Sequence, residues 1–134
     1  MRIAVSGTHS VGKSTFVWDF VKAHTNYYRE EEPYRALREF YPIKFGKQAT
    51  NFCNGIQLYY NLSRVKQYQS SSARVIFDRC PVDYIAYSLY AAKYHETDMN
   101  EQFVNSLLEP IREALSFLDL IVFISVNDKH PIEI

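Results

Sequence analysis

Short apolar runs alternate with amphipathic segments along the chain. Runs of β type are predicted at residues 2–6, 27–32, 74–77 and 119–126. The second run is ambiguous because it is short and is stopped by Pro33. Apolar residues recur at helical spacing in segments 13–24, 34–40, 52–69, 82–94 and 100–117. Strands that alternate with helices indicate an α/β fold of three layers, with a parallel sheet of about four strands.

Two of these segments carry expectations about which side chains are buried. The last run, DLIVFISV at residues 119–126, is apolar at positions that point to both faces, as is typical of a buried parallel strand. On the helix predicted at 52–69, one face carries a stripe of apolar residues, namely Phe52, Ile56, Tyr59, Leu62 and Val65. We therefore expect this stripe to face the core.

Composition narrows the function classes. The chain has 134 residues, 47% of them hydrophobic and 22% charged, which indicates one globular domain over residues 1–134. Its formal net charge of zero gives no global attraction to nucleic acid, which is not expected as a partner, and any phosphate chemistry must come from a local site. No apolar run approaches the ~20 residues of a membrane span, and no targeting segment precedes the first strand, so the cytoplasm is expected. Cys53 and Cys80, in no metal-ligand spacing, are predicted to be reduced core thiols.

The segment that connects the first predicted strand to the first predicted helix carries the most specific pattern in the sequence. The stretch GTHSVGKS, from Gly7 to Ser14, fits G-x-x-x-x-G-K-[ST] at every fixed position. Gly7 and Gly12 permit backbone conformations and close approaches that a Cβ would obstruct. The backbone N–H groups of the loop, including those of Ser10 and Val11, are then free to point inward at an anion at the helix N-terminus.

The side chains at the end of this loop predict the ligand. Lys13 is expected to bridge the β- and γ-phosphates as a point charge, and the Ser14 hydroxyl to bind Mg²⁺. The Thr15 hydroxyl is placed to reach the α-phosphate. The order Asn127-Asp128-Lys129 differs from the guanine-reading N-K-x-D pattern, so ATP with Mg²⁺ is predicted rather than GTP.

Acidic and basic residues follow two other predicted strands. Asp78 ends the run Val75–Phe77, where a doubly wound sheet binds its ligands, and is the candidate second acid for Mg²⁺. Arg79 beside it has a fork that suits a transferring or acceptor phosphate. The alternatives are that Asp78 caps the next helix and that Arg79 forms a salt bridge. Asp83 is interpreted as a partner of the helix dipole.

The triplet Glu30–Glu32 closes the second predicted strand. A charge run of this kind is often a solvated face, and that alternative stays open. One of its carboxylates is nevertheless placed to face the nucleotide cleft and to act as general base on an acceptor hydroxyl, and Glu32 is the candidate.

These segments together resemble a known group. GTHSVGKST, the E-x-x-R from Glu32 to Arg35, and FDRCPVDYIAY from Phe77 to Tyr87 resemble the AAA_28-type P-loop proteins, which include the ribosylnicotinamide kinase domain of the NadR regulator. The similarity extends more broadly to the nucleoside and nucleotide kinases, including thymidylate kinase and the deoxynucleoside kinases. It covers residues 2–126.

The resemblance implies a kinase that acts on a nucleoside- or nucleotide-like acceptor, with Lys13, Asp78, Glu32 and Arg79 as catalytic residues. It leaves open whether Asp78 is the acid at the metal or at the acceptor hydroxyl. It places Glu32, Arg35 and Arg79 at the acceptor. A glutamine on the helix before the acid-Arg motif reads the base in deoxynucleoside kinases, and Gln57 is its candidate here, although we favour a surface position for Gln57.

The chain departs from this group at its end. Such kinases carry an arginine-bearing lid and a further strand and helix after the segment equivalent to DLIVFISV, and here only residues 127–134 follow. Three interpretations stay open: the chain is a fragment, it relies on another chain, or it binds nucleotide without efficient transfer. The alternative to the small-molecule kinase is a regulatory ATPase that signals to a protein partner. A homodimer is also possible.

Overall fold

The computed structural model describes residues 1–8, 12–44, 50–94, 98 and 100–125. Within these ranges strands and helices alternate over most of the chain. The elements are β1 (Arg2–Ser6), α1 (Lys13–Ala23), β2 (Tyr28–Glu30), α2 (Pro33–Leu37), α3 (Asn51–Lys66), β3 (Val75–Asp78), α4 (Val82–Tyr94), α5 (Glu101–Leu115) and β4 (Leu120–Phe123).

The four strands form one parallel sheet in the order β2-β3-β1-β4. The predicted α/β fold with about four parallel strands is thereby confirmed. Val5 is paired with Asp78 on one side and with Val122 on the other, and Glu30 is paired with Phe77. The carboxyl ends of β1, β2 and β3 therefore lie side by side, so residues that leave these strands meet at one edge of the sheet.

Side chains that alternate along the central strands supply two cores, one on each face of the sheet. Ala4, Val75 and Phe77 pack on one face, against residues from α3, α4 and α5. Ile3, Val5 and Ile76 pack on the other face against Val17 of α1. Cys53 and Cys80 are buried free thiols, as the sequence predicts.

Helix α1 also contacts strand β2 at the surface. The Arg29 guanidinium lies over the indole ring of Trp18, with its Cζ 4.0 Å from the ring centroid. Such a cation–π contact at an exposed site contributes roughly 0.5–1 kcal/mol. The contact fixes the outer face of α1 relative to the edge strand.

The inward face of α3 differs from the prediction. Leu62 and Val65 are buried as expected, but Phe52 is 51% exposed and Tyr59 is 54% exposed. The buried positions include three amides instead, Asn54, Gln57 and Asn61. This face is partly polar because it meets polar groups: an amide N–H of Asn54 donates to the Ser88 hydroxyl, and one of Asn61 donates to the Arg79 carbonyl.

The prediction that the last strand is buried on both faces is wrong for the described residues. Strand β4 lies at the sheet edge beside β1, and Leu120 and Ile121 are each 43% exposed. Phe123 is 69% exposed. Apolar composition alone does not distinguish a covered central strand from an edge strand.

Candidate functional site

The loop between β1 and α1 is shaped by glycines at its two ends. Gly7 has φ 144° and Gly12 has φ 95°, both in the region that L-residues rarely adopt. An added Cβ at Gly12 would meet no atom of the described residues within 4 Å, so backbone conformation is the reason for glycine there. The predicted phosphate contacts of Ser10 and Val11, together with His9, lie outside the described residues.

Lys13 begins α1 and is buried. Its ammonium folds back across the loop and donates to the Thr8 carbonyl oxygen at 2.5 Å. Burial, with a further contribution from the positive charge of Arg79, lowers the pKa of Lys13 to about 8. Burial disfavours the charged form of Lys13, and an anion bound in the loop would stabilise that form.

Ser14 and Asp78 bring oxygen ligands together from different elements. The Ser14 hydroxyl on α1 donates to Asp78 Oδ2 at 2.6 Å at the carboxyl end of β3. The other oxygen, Asp78 Oδ1, is buried and accepts no hydrogen bond from the residues that the structure describes. A serine hydroxyl beside a carboxylate with a free oxygen fits Mg²⁺, which prefers hard oxygen ligands. Thr15, the third predicted side-chain contact, is exposed.

Arg79 is buried at the centre of the cleft, with φ 121°. Its Nη1 donates to the Tyr87 hydroxyl at 2.8 Å and to the Gly7 carbonyl oxygen at 3.4 Å. Its Nη2 donates to Glu32 Oε1 at 3.2 Å. The salt bridge that the sequence left open as an alternative is present, and it joins two of the predicted site residues.

The acidic triplet divides between two environments. Glu32 points to the cleft, where it contacts Arg79 and also lies 3.8 Å from Arg35 Nε. Glu30 points to the opposite side and accepts from Arg64 at 2.6 and 2.9 Å and from the Tyr68 hydroxyl at 2.6 Å. Glu30 therefore joins β2 to α3, whereas Glu32 lies between Arg35 and Arg79, and the role of these residues at an acceptor stays a prediction.

Gln57 is not on the surface. It is buried on α3, and its Nε2 donates to the Cys53 carbonyl oxygen at 3.0 Å. The interpretation of Gln57 as a surface residue is wrong, because Gln57 lies on the buried face of α3, which carries amides as well as apolar residues. Asn61, one turn further along, donates to the Arg79 carbonyl oxygen at 3.3 Å.

Asp83 is a site residue that sequence reasoning missed. It lies in the first turn of α4, as the helix-dipole interpretation requires, but its carboxylate is buried against the loop. Oδ1 accepts from the Ser6 hydroxyl and from the Gly7 N–H, and Oδ2 accepts from the Cys80 N–H at 3.1 Å. Burial raises the pKa of Asp83, an effect opposed by the hydrogen bond from Ser6. The sequence signal that could have identified Asp83 is its position four residues after Arg79.

A pocket of about 430 Å³ opens beside the loop. Most of its wall is apolar, with aromatic rings from α4 and from the end of β4. It is lined by Ser6, Gly7, Thr8, Val82, Asp83, Ala86, Tyr87, Phe123 and Ile124.

In comparisons with known proteins, neither a family model nor a curated protein matches the chain. Among solved structures, the chain is similar to thymidylate kinase from Candida albicans, with a TM-score of 0.61 and 18% sequence identity. The fold is that of a P-loop kinase. The similarity covers 95% of this chain but 63% of the thymidylate kinase, so the chain spans less than two thirds of that protein's length. The narrower resemblance to the AAA_28-type group stays a prediction.

Within this P-loop kinase fold, five of the predicted site residues converge at one edge of the sheet. Lys13, Ser14, Asp78, Arg79 and Glu32 all lie where β1, β2 and β3 end. Across the described ranges, no cluster of histidine, cysteine and acidic residues is suited to hold a metal by itself. No helix described by the structure is long and apolar enough to cross a membrane.

Proposed function

We propose that this protein is a Mg²⁺-dependent phosphotransferase that passes the γ-phosphoryl group of ATP to a nucleoside- or nucleotide-like small molecule. One observation carries the proposal: the Ser14 hydroxyl meets the Asp78 carboxylate at 2.6 Å, directly beside the Arg79–Glu32 ion pair at 3.2 Å. A phosphate and metal site is thus adjacent to a carboxylate and a cation that face a second ligand. The P-loop kinase fold supports the same function.

The donor nucleotide is held by the loop. The Lys13 ammonium leaves the Thr8 carbonyl oxygen and turns to the β- and γ-phosphates, where its charge offsets that of the transferring group. Ser14 and Asp78 are the residues that would hold Mg²⁺. The metal would supply positive charge that neutralises the phosphates.

The acceptor lies on the side of Glu32 and Arg79. For an acceptor hydroxyl, Glu32 takes the proton as the new O–P bond forms and the bond between the γ-phosphorus and its bridging oxygen breaks, which releases ADP. Arg79 stabilises charge on the transferring group, and Arg35, on the exposed side of Glu32, contacts an anionic acceptor. The apolar pocket beside Tyr87 suits a ring of the acceptor, and Gln57 remains a candidate for reading its base.

The proposal is tested by ADP release from MgATP across a panel of nucleosides, nucleoside monophosphates and nicotinamide riboside. Lys13→Ala removes the loop cation, and Lys22→Ala removes an exposed lysine from the same helix as a matched control. Release that rises with one acceptor, is lost in Lys13→Ala and persists in Lys22→Ala supports a kinase and names its acceptor class. An acceptor left unaltered after long incubation contradicts it.

The alternative is a regulatory ATPase that signals to a protein partner. Release that is indifferent to every acceptor, lost in Lys13→Ala and stimulated by a protein partner favours this function over the kinase. The cytoplasmic location, the single domain and the homodimer remain predictions.

A further inference from the structure

The Asp83 carboxylate contacts two parts of the site that come from different strands. Through Oδ1 it accepts from the Ser6 hydroxyl and the Gly7 N–H, which open the phosphate loop after β1. Through Oδ2 it lies 3.5 Å from Arg79 Nη1, after β3. The side chains of Asp83 and Arg79 are each 5% exposed. A carboxylate this buried contributes through fixed geometry rather than through contact with solvent.

The backbone at Arg79 needs such a contact. Its φ of 121° is unfavourable for a residue with a Cβ, and conformations of this kind persist where surrounding bonds hold them. The peptide group that follows the strained residue is held at both of its polar atoms. Asn61 donates to its oxygen, the Arg79 carbonyl, at 3.3 Å, and its N–H, that of Cys80, donates to Asp83 at 3.1 Å. Asp83 thus contacts both the Arg79 side chain and the backbone that aims it.

We propose that Asp83 is a positioning residue that fixes the phosphate loop and the Arg79 guanidinium relative to each other, so that the bound nucleotide and the cation on the acceptor side keep one geometry. Its role differs from the roles proposed for Asp78 at the metal and Glu32 at the acceptor, because both carboxylate oxygens of Asp83 are taken up by contacts with the loop, with Arg79 and with the Cys80 N–H. The transfer readout of this inference rests on the proposed function, whereas the binding readout does not.

The direction in which MgATP affinity changes in an Asp83 variant distinguishes a positioning role from a purely electrostatic one. Asp83→Asn removes a negative charge beside an anion site, so electrostatics alone predicts tighter MgATP binding. Loss of positioning predicts weaker binding. The measurement is made at pH 6.5, where Lys13, with a pKa of about 8, is protonated in the native protein. A change in the charge of Lys13 then contributes little to the difference.

The first test is the dissociation constant of MgATP for the whole chain, measured by calorimetry. Asp83→Asn is expected to weaken binding about fivefold, a coupling of the size typical for residues in contact. The matched control Asp19→Asn removes an exposed carboxylate from α1 and is expected to leave the constant unchanged. Tighter or unchanged binding in a folded Asp83→Asn protein overturns the proposal.

A double-mutant cycle tests whether Asp83 acts through the loop. Ser6→Ala removes the hydroxyl that donates to Asp83 and is expected to weaken MgATP about threefold. The double variant Ser6→Ala/Asp83→Asn is expected to bind no more weakly than Asp83→Asn alone. Additive losses overturn the proposal. If Asp83→Asn fails to fold by circular dichroism, Ser6→Ala decides, and unchanged MgATP affinity in that variant overturns it.

The second test uses transfer to the acceptor found in the panel. Misplacement of Arg79 is expected to lower kcat about tenfold or more in Asp83→Asn, beyond the change in the KM for MgATP. If the role of Asp83 were purely structural, Asp83→Asn would contain less active protein and its KM would be unchanged. The concentration of active sites is therefore measured by nucleotide titration. If the native chain transfers to no acceptor, the proposed function fails, and Asp83 is judged by the binding cycle.

Discussion

The buried ammonium of Lys13 predicts that nucleotide affinity depends on pH above neutrality. Its pKa is lowered from 10.5 to about 8, first by burial and then by Arg79. Phosphate oxygens beside the ammonium favour its charged form, so the pKa of Lys13 rises when nucleotide binds. MgATP therefore binds the protonated form, and its affinity falls as the pH passes through about 8.

The expected change in MgATP affinity can be calculated from the pKa of Lys13. With a folded pKa of about 8, roughly a tenth of the free protein is protonated at pH 9. The dissociation constant of MgATP is then expected to be about tenfold higher at pH 9 than at pH 7. Phosphate monoesters titrate near pH ~6, below this window, so the nucleotide's own charge does not change across it.

The assay is calorimetry of MgATP binding between pH 6.5 and 9.5. Lys13→Arg keeps a cation that does not titrate in this range and is expected to give a flat profile, whereas Lys22→Ala is expected to keep the native profile. A native profile that is flat from pH 7 to 9.5 refutes the reasoning about Lys13.

The free energy of unfolding of the ligand-free protein is expected to rise with pH, whereas the affinity for MgATP falls. Because the folded pKa of Lys13 lies below its unfolded value, the unfolded chain binds the proton more tightly between about pH 8 and 10.5. The free energy of unfolding contributed by this group therefore rises with pH across that window. Urea unfolding of the native protein, compared with Lys13→Arg at each pH, isolates the contribution.

Three further changes test other parts of the site. Asp78→Asn is expected to raise the Mg²⁺ concentration needed for half-maximal ATP binding by about tenfold to a hundredfold. The measurement is a Mg²⁺ titration at fixed ATP. An unchanged Mg²⁺ requirement contradicts the assignment of Asp78 to the metal. Gly12→Ala forces a Cβ onto a residue at φ 95° and is expected to lower the free energy of unfolding by about 1 kcal/mol in urea titrations, since the space around it is open. Arg64→Ala leaves the buried Glu30 carboxylate without its cation and is expected to cost about 2 kcal/mol of unfolding free energy while the MgATP dissociation constant stays unchanged. A weaker MgATP complex in Arg64→Ala would show that Glu30 contributes to the site.

Much of the loop and of the sheet could be predicted from the sequence because the signals are local. The pattern from Gly7 to Ser14 sits between a β-type run and an amphipathic helix, and each boundary follows from short-range periodicity. The position of Asp78 at the end of β3 was predictable for the same reason. Once the strands are parallel, the carboxyl ends of β1 and β3 must lie at the same edge of the sheet.

Residues whose surroundings come from distant parts of the chain could not be predicted in this way. The inward face of α3 was misread because amides such as Asn54 and Asn61 score as surface residues, and their partners Ser88 and Arg79 follow much later in the sequence. Asp83 was explained by the helix it begins, but its decisive partner is Ser6, 77 residues away. Patterns of hydrophobicity hold no information on such pairings.

The contact between Trp18 and Arg29 has a practical consequence for studies in solution. Trp18 is the single tryptophan of the chain, so intrinsic fluorescence excited near the red edge of absorption originates from one known place. That place is on α1, four residues after Ser14, with a guanidinium 4.0 Å from the ring. Any movement of α1 against β2 changes the distance between the indole and this cation. The intrinsic fluorescence of Trp18 therefore reports on movement of α1 against β2 without an attached dye.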